Sequence, residues 1–172
     1  NFGFLNKRGY YNTEFAKKQP EEMKSMGINW TTLNINLCQE KVFSRKLFLD
    51  FKYTVTDSEI VEMTKLLHEN GVRVILKPCL TSLDGASMYR VTFPPEYECR
   101  HIEGVHTDYW KEWFTSYTEG MQYFADLAER AGIDALMIGA ECRGTEGQNE
   151  LWENVISAVR EIYGGPITYE FT

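Results

Sequence analysis

Glu141 closes a short apolar run, Ile133-Asp134-Ala135-Leu136-Met137-Ile138-Gly139-Ala140-Glu141. Near-continuous hydrophobicity is what a parallel strand buried on both faces requires. A carboxylate at the C-terminal tip of such a strand is costly to bury unless it is paired or used, and those tips are where parallel α/β folds bind ligands. The alternative is a glutamate that caps the next turn. Alternation places Glu141 with Gly139, Met137 and Ala135 on one face, read as the crowded inside of a barrel, with Leu136 and Ile138 outside. Lys77 stands at the tip of Val72 to Pro78, and Glu170 shares a face with Thr168 near the end of Pro166 to Thr172. Lys77 can pair with Glu141 or Glu170 or hydrogen-bond a ligand. Asn34 and Asn36 share one face of Asn29 to Leu37, opposite Leu33, Ile35 and Leu37. Polar residues there suit a ligand site and equally a solvated face of an antiparallel sheet. His101, Glu103, His106 and Asp108 crowd one loop, but their spacing is irregular, and neither a metal site nor a cofactor is expected.

The elements that must hold these groups share one punctuation. Gly27, Gly71, Gly132 and Gly165 each separate a helical segment from a strand-like run. Glycine ends a helix cheaply in the left-handed conformation, and repetition of helix, glycine and strand marks a βαβ series. Asn1 to Leu5 reads as a first strand. Pro20 can open a short helix that stops at Gly27. Thr56-Asp57-Ser58-Glu59 is a capping box before a helix with Ile60, Met63 and Leu67 on one side. Pro78 is expected to end its strand. The stretch from Cys79 to Asp108 reads as a long, ordered, ligand-facing loop. Tyr109 to Arg130 is the clearest helix, with Trp110, Phe114, Tyr117, Met121, Phe124 and Ala128 as core packing. Asn149 to Tyr163 follows, with Trp152, Ile156, Val159 and Tyr163 on one side.

At 172 residues with 43% hydrophobic content, the chain can bury one core, and a single domain over 1–172 is expected. The net charge of −7 and the lack of a basic cluster argue against nucleic acid. No membrane-length apolar run occurs, so no membrane partner is expected. None of Cys38, Cys79, Cys99 and Cys142 forms a C-x-x-C pair, and Cys79 and Cys142 read as free thiols near one rim. Neither G-x-G-x-x-G nor a P-loop is present, which disfavours a nucleotide-binding doubly wound sheet. Compartment is left open between bacterial cytoplasm and secretion.

At Val74-Ile75-Leu76-Lys77-Pro78 and Ile138-Gly139-Ala140-Glu141 the chain resembles glycoside hydrolase family 113, retaining β-mannanase-like enzymes of the (β/α)8 clan A. The family's "GxNW" turn is matched by Gly27-Ile28-Asn29-Trp30 and its "LKP" tip by Leu76-Lys77-Pro78. Its Trp-aromatic-x-x-Tyr helix start is matched by Trp113-Phe114-Thr115-Ser116-Tyr117, and "IGTE" appears as Ile138-Gly139-Ala140-Glu141. Trp152, Ile156, Arg160, Tyr163 and Gly165 match the next helix, and Thr168-Tyr169 a "TY" strand. The resemblance runs over nearly the whole chain, in order. It implies a (β/α)8 TIM barrel, with these residues covering about the first five β/α units. It also implies a retaining glycoside hydrolase of β-linked, mannan-like glycans, with Glu141 as general acid/base. A retaining site needs a second carboxyl group about 5–5.5 Å away. The clan places it on strand seven, so the nucleophile is expected beyond residue 172. Lys77, Asn36, Asn34, Arg90, Tyr169 and Glu170 are the candidates for contacts to an oligosaccharide or polysaccharide.

The chain departs from the family pattern at Cys79, where histidine is common, at Tyr89-Arg90 in place of Trp-Arg, and at Glu170-Phe171-Thr172. All three lie where substrate would lie. Two other readings stand beside the hydrolase: a non-catalytic carbohydrate-binding barrel relative, and an unrelated α/β domain that binds a small metabolite. A complete barrel takes about 250 residues. The remaining strands, or self-association, are therefore expected to cover the open edges of the sheet.

Overall fold

The computed structural model describes residues 1–93 and 108–171. The expected Cys99, His101, Glu103 and His106 therefore lie outside the described residues. Four parallel strands form one sheet in chain order: β1 (Trp30–Gln39), β2 (Arg73–Ser82), β3 (Ala135–Ala140) and β4 (Ile167–Glu170). Helices α1 (Glu14–Ser25), α2 (Asp57–Glu69), α3 (Tyr109–Ala131) and α4 (Asn149–Arg160) alternate with them. Strand order follows chain order with no reversal. A doubly wound sheet reverses at a switch point, whereas a barrel does not. The architecture is that of a partial (β/α)8 barrel.

Local chemistry explains the helices. Thr56 caps α2 with the full capping box, its side chain accepting from the Glu59 N–H while the Glu59 carboxylate accepts from the Thr56 N–H. Gly132, at φ 67°, is the left-handed cap that turns α3 towards β3. Leu33, Ile35, Leu37, Val74, Leu76, Leu136 and Ile138 pack from the sheet against Met63, Leu67, Tyr117, Phe124 and Ala128 from the helices. The Trp113 ring stacks on Tyr117 at 4.8 Å between centroids. The Tyr117 hydroxyl then donates to the Ile138 carbonyl at 2.8 Å, tying α3 to β3.

Five expectations are corrected. Asn1 to Leu5 is not a strand: only Phe2 bridges Leu33, because Gly3 (φ 76°) and Leu5 (φ 57°) curl the segment. α1 begins at Glu14, not at Pro20, since Thr13 caps it by accepting from the Ala16 N–H; Pro20 lies inside the helix. Pro78 does not end β2, which runs on to Ser82 paired with β1. A proline removes one donor, and in a parallel strand alternate residues serve alternate neighbours. Ile156 lies on the outer side of α4, 39% exposed, and Val155 takes its place in the core. Gly165 is not left-handed; α4 closes on Glu161 in right-handed geometry.

Candidate active site at the strand tips

The middle of β2 and the C-terminal ends of β3 and β4 surround a cavity of about 280 Å³ lined by Lys77, Cys79, Ala140, Glu141 and Glu170, together with Asn1, Phe4 and Met88. The structure thus brings together three of the residues singled out in the sequence: Lys77, Glu141 and Glu170. Lys77 is 5% exposed, and its Nζ donates to the Glu170 carboxylate and to Asn1 Oδ1 at 3.3 Å. A buried ammonium needs such a partner. Of the two pairings open to Lys77, the one with Glu170 is the one formed. The Glu141 carboxylate has no hydrogen-bond partner among the described residues.

Glu141 reaches this mouth by a route that strand alternation does not show. Between Met137 and Ala140 the register of β3 against β4 shifts by one residue, so three steps on β3 face two on β4. This is a β-bulge. It reverses the expected alternation: Ala140 lines the mouth, and Gly139 faces the helix layer. A Cβ added at Gly139 would lie 2.5 Å from the Tyr169 ring and 3.0 Å from Trp152. Only glycine fits there. Glu141 follows with φ 53°, a left-handed conformation rare outside glycine. Its N–H donates to the Glu170 carbonyl at 3.0 Å.

Asn34 and Asn36 are spent on the chain itself. Asn34 is 2% exposed; its Nδ2 donates to the Phe2 carbonyl, and its Oδ1 accepts from the Cys79 thiol. Asn36 Nδ2 donates to the carbonyls of Asn6 and Tyr53, and its Oδ1 accepts from Thr81. The Asn34 amide thus ties the N-terminal segment to β2, and the Asn36 amide ties that segment and the loop after β1 to the sheet. Tyr169 sits on the helix side of β4, edge-on to Trp152, with its hydroxyl accepting from the Cys142 N–H at 3.2 Å and donating to Glu146 at 3.3 Å. Arg90 is exposed and does not line the cavity.

Cys38, Cys79 and Cys142 are free and buried. Burial pushes the Cys79 thiol up to about 11, with Lys77 opposing and the Glu170 and Glu141 charges adding to the rise. It is a neutral thiol in the floor of the mouth. No group of three or more metal-ligating side chains occurs among the described residues. Asn1, Phe4 and Met88 lie outside the sequence reading of the site. Phe4 alternates with Phe2, and its 61% exposure is the visible consequence of the curled segment.

The chain matches Glycoside Hydrolase Family 113 over residues 1–172. Among solved structures, a GH113 beta-1,4-mannanase superposes with a TM-score of 0.87 and 27% identity, over 98% of this chain and 53% of that one. The GH113 beta-mannanase AaManA from Alicyclobacillus acidocaldarius, in complex with ManMIm, gives 0.86 and 30%, over 98% and 52%. A complex of a GH113 beta-1,4-mannanase gives 0.85 and 26%, over 98% and 53%. The chain spans about half the length of these structures. No curated protein matches it. With its family matched from end to end and its sheet superposing on three mannanase structures, the chain belongs to glycoside hydrolase family 113.

Proposed function

We propose that this chain carries the acid/base side of a retaining glycoside hydrolase centre acting on β-linked, mannan-type glycans. Glu141 is the general acid/base. The observation that carries this reading is the place of Glu141 at the tip of β3, on the wall of the strand-tip cavity beside Lys77 and Glu170, in a chain of this family. In the first step the Glu141 carboxylic acid gives its proton to the bridging oxygen as the leaving sugar departs. In the second, the carboxylate takes a proton from the attacking water. Glu170 is engaged by Lys77 and is read as its orienting partner, not as the nucleophile. Lys77 is the candidate donor to a sugar hydroxyl, because a shift of Glu170 would redirect its ammonium into the cavity.

The test is Glu141→Gln in the intact protein. Cleavage of unactivated β-mannan should fall by about 10²–10⁴-fold while binding of the same glycan persists. Unchanged turnover would refute the acid role. Undiminished binding by a wild-type protein that cleaves no β-linked glycan would instead identify a carbohydrate-binding relative.

A further inference from the structure

We infer that Tyr169 is a positioning residue for the acid/base Glu141, its hydroxyl holding the Cys142 N–H so that the left-handed turn at Glu141 aims the carboxylate into the mouth. The inference rests on the role proposed above for Glu141 and adds the device that sets its geometry. Three observations converge on that turn. A non-glycine residue at φ 53° is strained and persists only where its surroundings over-determine it. The surroundings here are specific. The amide before the turn, Glu141 N–H, is held by the Glu170 carbonyl, and the amide after it, Cys142 N–H, by the Tyr169 hydroxyl. Both holders come from β4, so one strand grips both sides of Glu141.

The Tyr169 ring is placed with equal care. It occupies the space that a side chain at Gly139 would fill, and Trp152 (5.5 Å, 90°) and Phe171 (4.8 Å) pack against it. Trp152 in turn donates from its indole N–H to the Thr145 carbonyl, and Thr145 donates to the Cys142 carbonyl. The Ile138 carbonyl, within the bulge, takes its hydrogen bond from Tyr117. Bulge, missing side chain, ring and left-handed turn therefore form one connected unit. Burial, with the neighbouring Cys142 and Glu146, raises the Tyr169 phenol well above its ordinary value, so the hydroxyl stays protonated and donates to Glu146 while it accepts from Cys142.

The sequence places Tyr169 among the sugar contacts; the geometry gives it a different part. A sugar-binding tyrosine would act on affinity. A positioning tyrosine acts on the proton transfer, and only when the leaving group needs the proton. Tyr169→Phe keeps the ring and deletes the hydroxyl. In the intact protein it should lower kcat on unactivated β-mannan about tenfold or more, with KM little changed. The loss should shrink on an aryl β-mannoside with a strongly acidic phenol as leaving group. It should vanish in the Glu141→Gln background. Glu146→Ala, which removes the acceptor of the same hydroxyl, should give a weaker copy of the pattern and serves if Tyr169→Phe fails to fold. Full activity of Tyr169→Phe, a rise in KM alone, or an equal loss on both substrates would overturn the positioning role. If Glu141→Gln itself cleaves mannan normally, it is the acid/base assignment that falls. If Glu141→Gln is dead and Tyr169→Phe is normal, only the present inference falls.

Discussion

The tips of β1 and β3 are built from similar material and put to opposite uses. At β1, Asn34 and Asn36 face a polar interior, and every amide atom is taken by the chain: Phe2, Asn6, Tyr53, Cys79 and Thr81 are their partners. At β3, one extra residue and a left-handed turn bring a carboxylate to the cavity wall, and the hydrogen bonds go to its backbone neighbours. One tip spends its polar groups on holding segments together. The other spends its neighbours on aiming a single side chain. Polar character at a strand end is therefore insufficient to mark a ligand site. What distinguishes the two is where the hydrogen bonds stop.

This difference can be broken or sharpened by substitution. Lys77→Met should have the largest effect, a loss of turnover of about tenfold or more, with a modest change in melting because Glu170 is one-third exposed and can turn to water. A variant with wild-type kinetics would remove Lys77 from the site. Asn36→Leu should do the reverse. It strands the Asn6 and Tyr53 carbonyls and the Thr81 hydroxyl, and should cost about 1–3 kcal/mol in denaturant unfolding, while the KM of whatever protein folds stays near normal. A raised KM at full stability would return Asn36 to the substrate. Thr56→Ala removes the capping box of α2, remote from both tips, and should cost about 1 kcal/mol with no kinetic effect. The smallest effect is alkaline. The folded Cys79 thiol, pushed by burial from its ordinary 9.0 up to about 11, disfavours ionisation in the native state. Its contribution to stability is full below about 9 and is lost as pH rises from there through about 11. Melting curves of Cys79→Ala should show a shallower decline over that window than the wild-type; parallel curves would argue against the buried thiol.

Much of this architecture is written in local chemistry. Helix, glycine and strand repeat along the chain, and Gly27, Gly71 and Gly132 do sit in left-handed geometry at the three junctions that lead into β1, β2 and β3. The capping box at Thr56 and the aromatic stripe of α3 are equally local, and the family follows from an ordered set of short motifs. Other features depend on a partner distant in sequence. Alternation puts Gly139 inside the barrel because a period of two cannot register a bulge. The bulge exists because Tyr169, thirty residues on, needs the space. The sequence alone does not show that Tyr169 has Trp152 and the Cys142 amide beside it. Nor does it show that the curled N-terminal segment lies against Asn34 and Asn36. Pro20 looks like a helix start because the stronger signal, Thr13, lies outside a motif window centred on the proline.

The central claim is that Glu141 is the acid/base of a retaining centre. Its most direct test is Glu141→Ala in the intact protein, assayed on an aryl β-mannoside with a good leaving group, with and without added azide. That substrate departs without a proton and loads the enzyme; azide then needs no general base to attack. Azide should restore turnover and yield the β-configured glycosyl azide. No stimulation, or an α-configured azide formed by direct displacement, would place Glu141 outside the acid/base role.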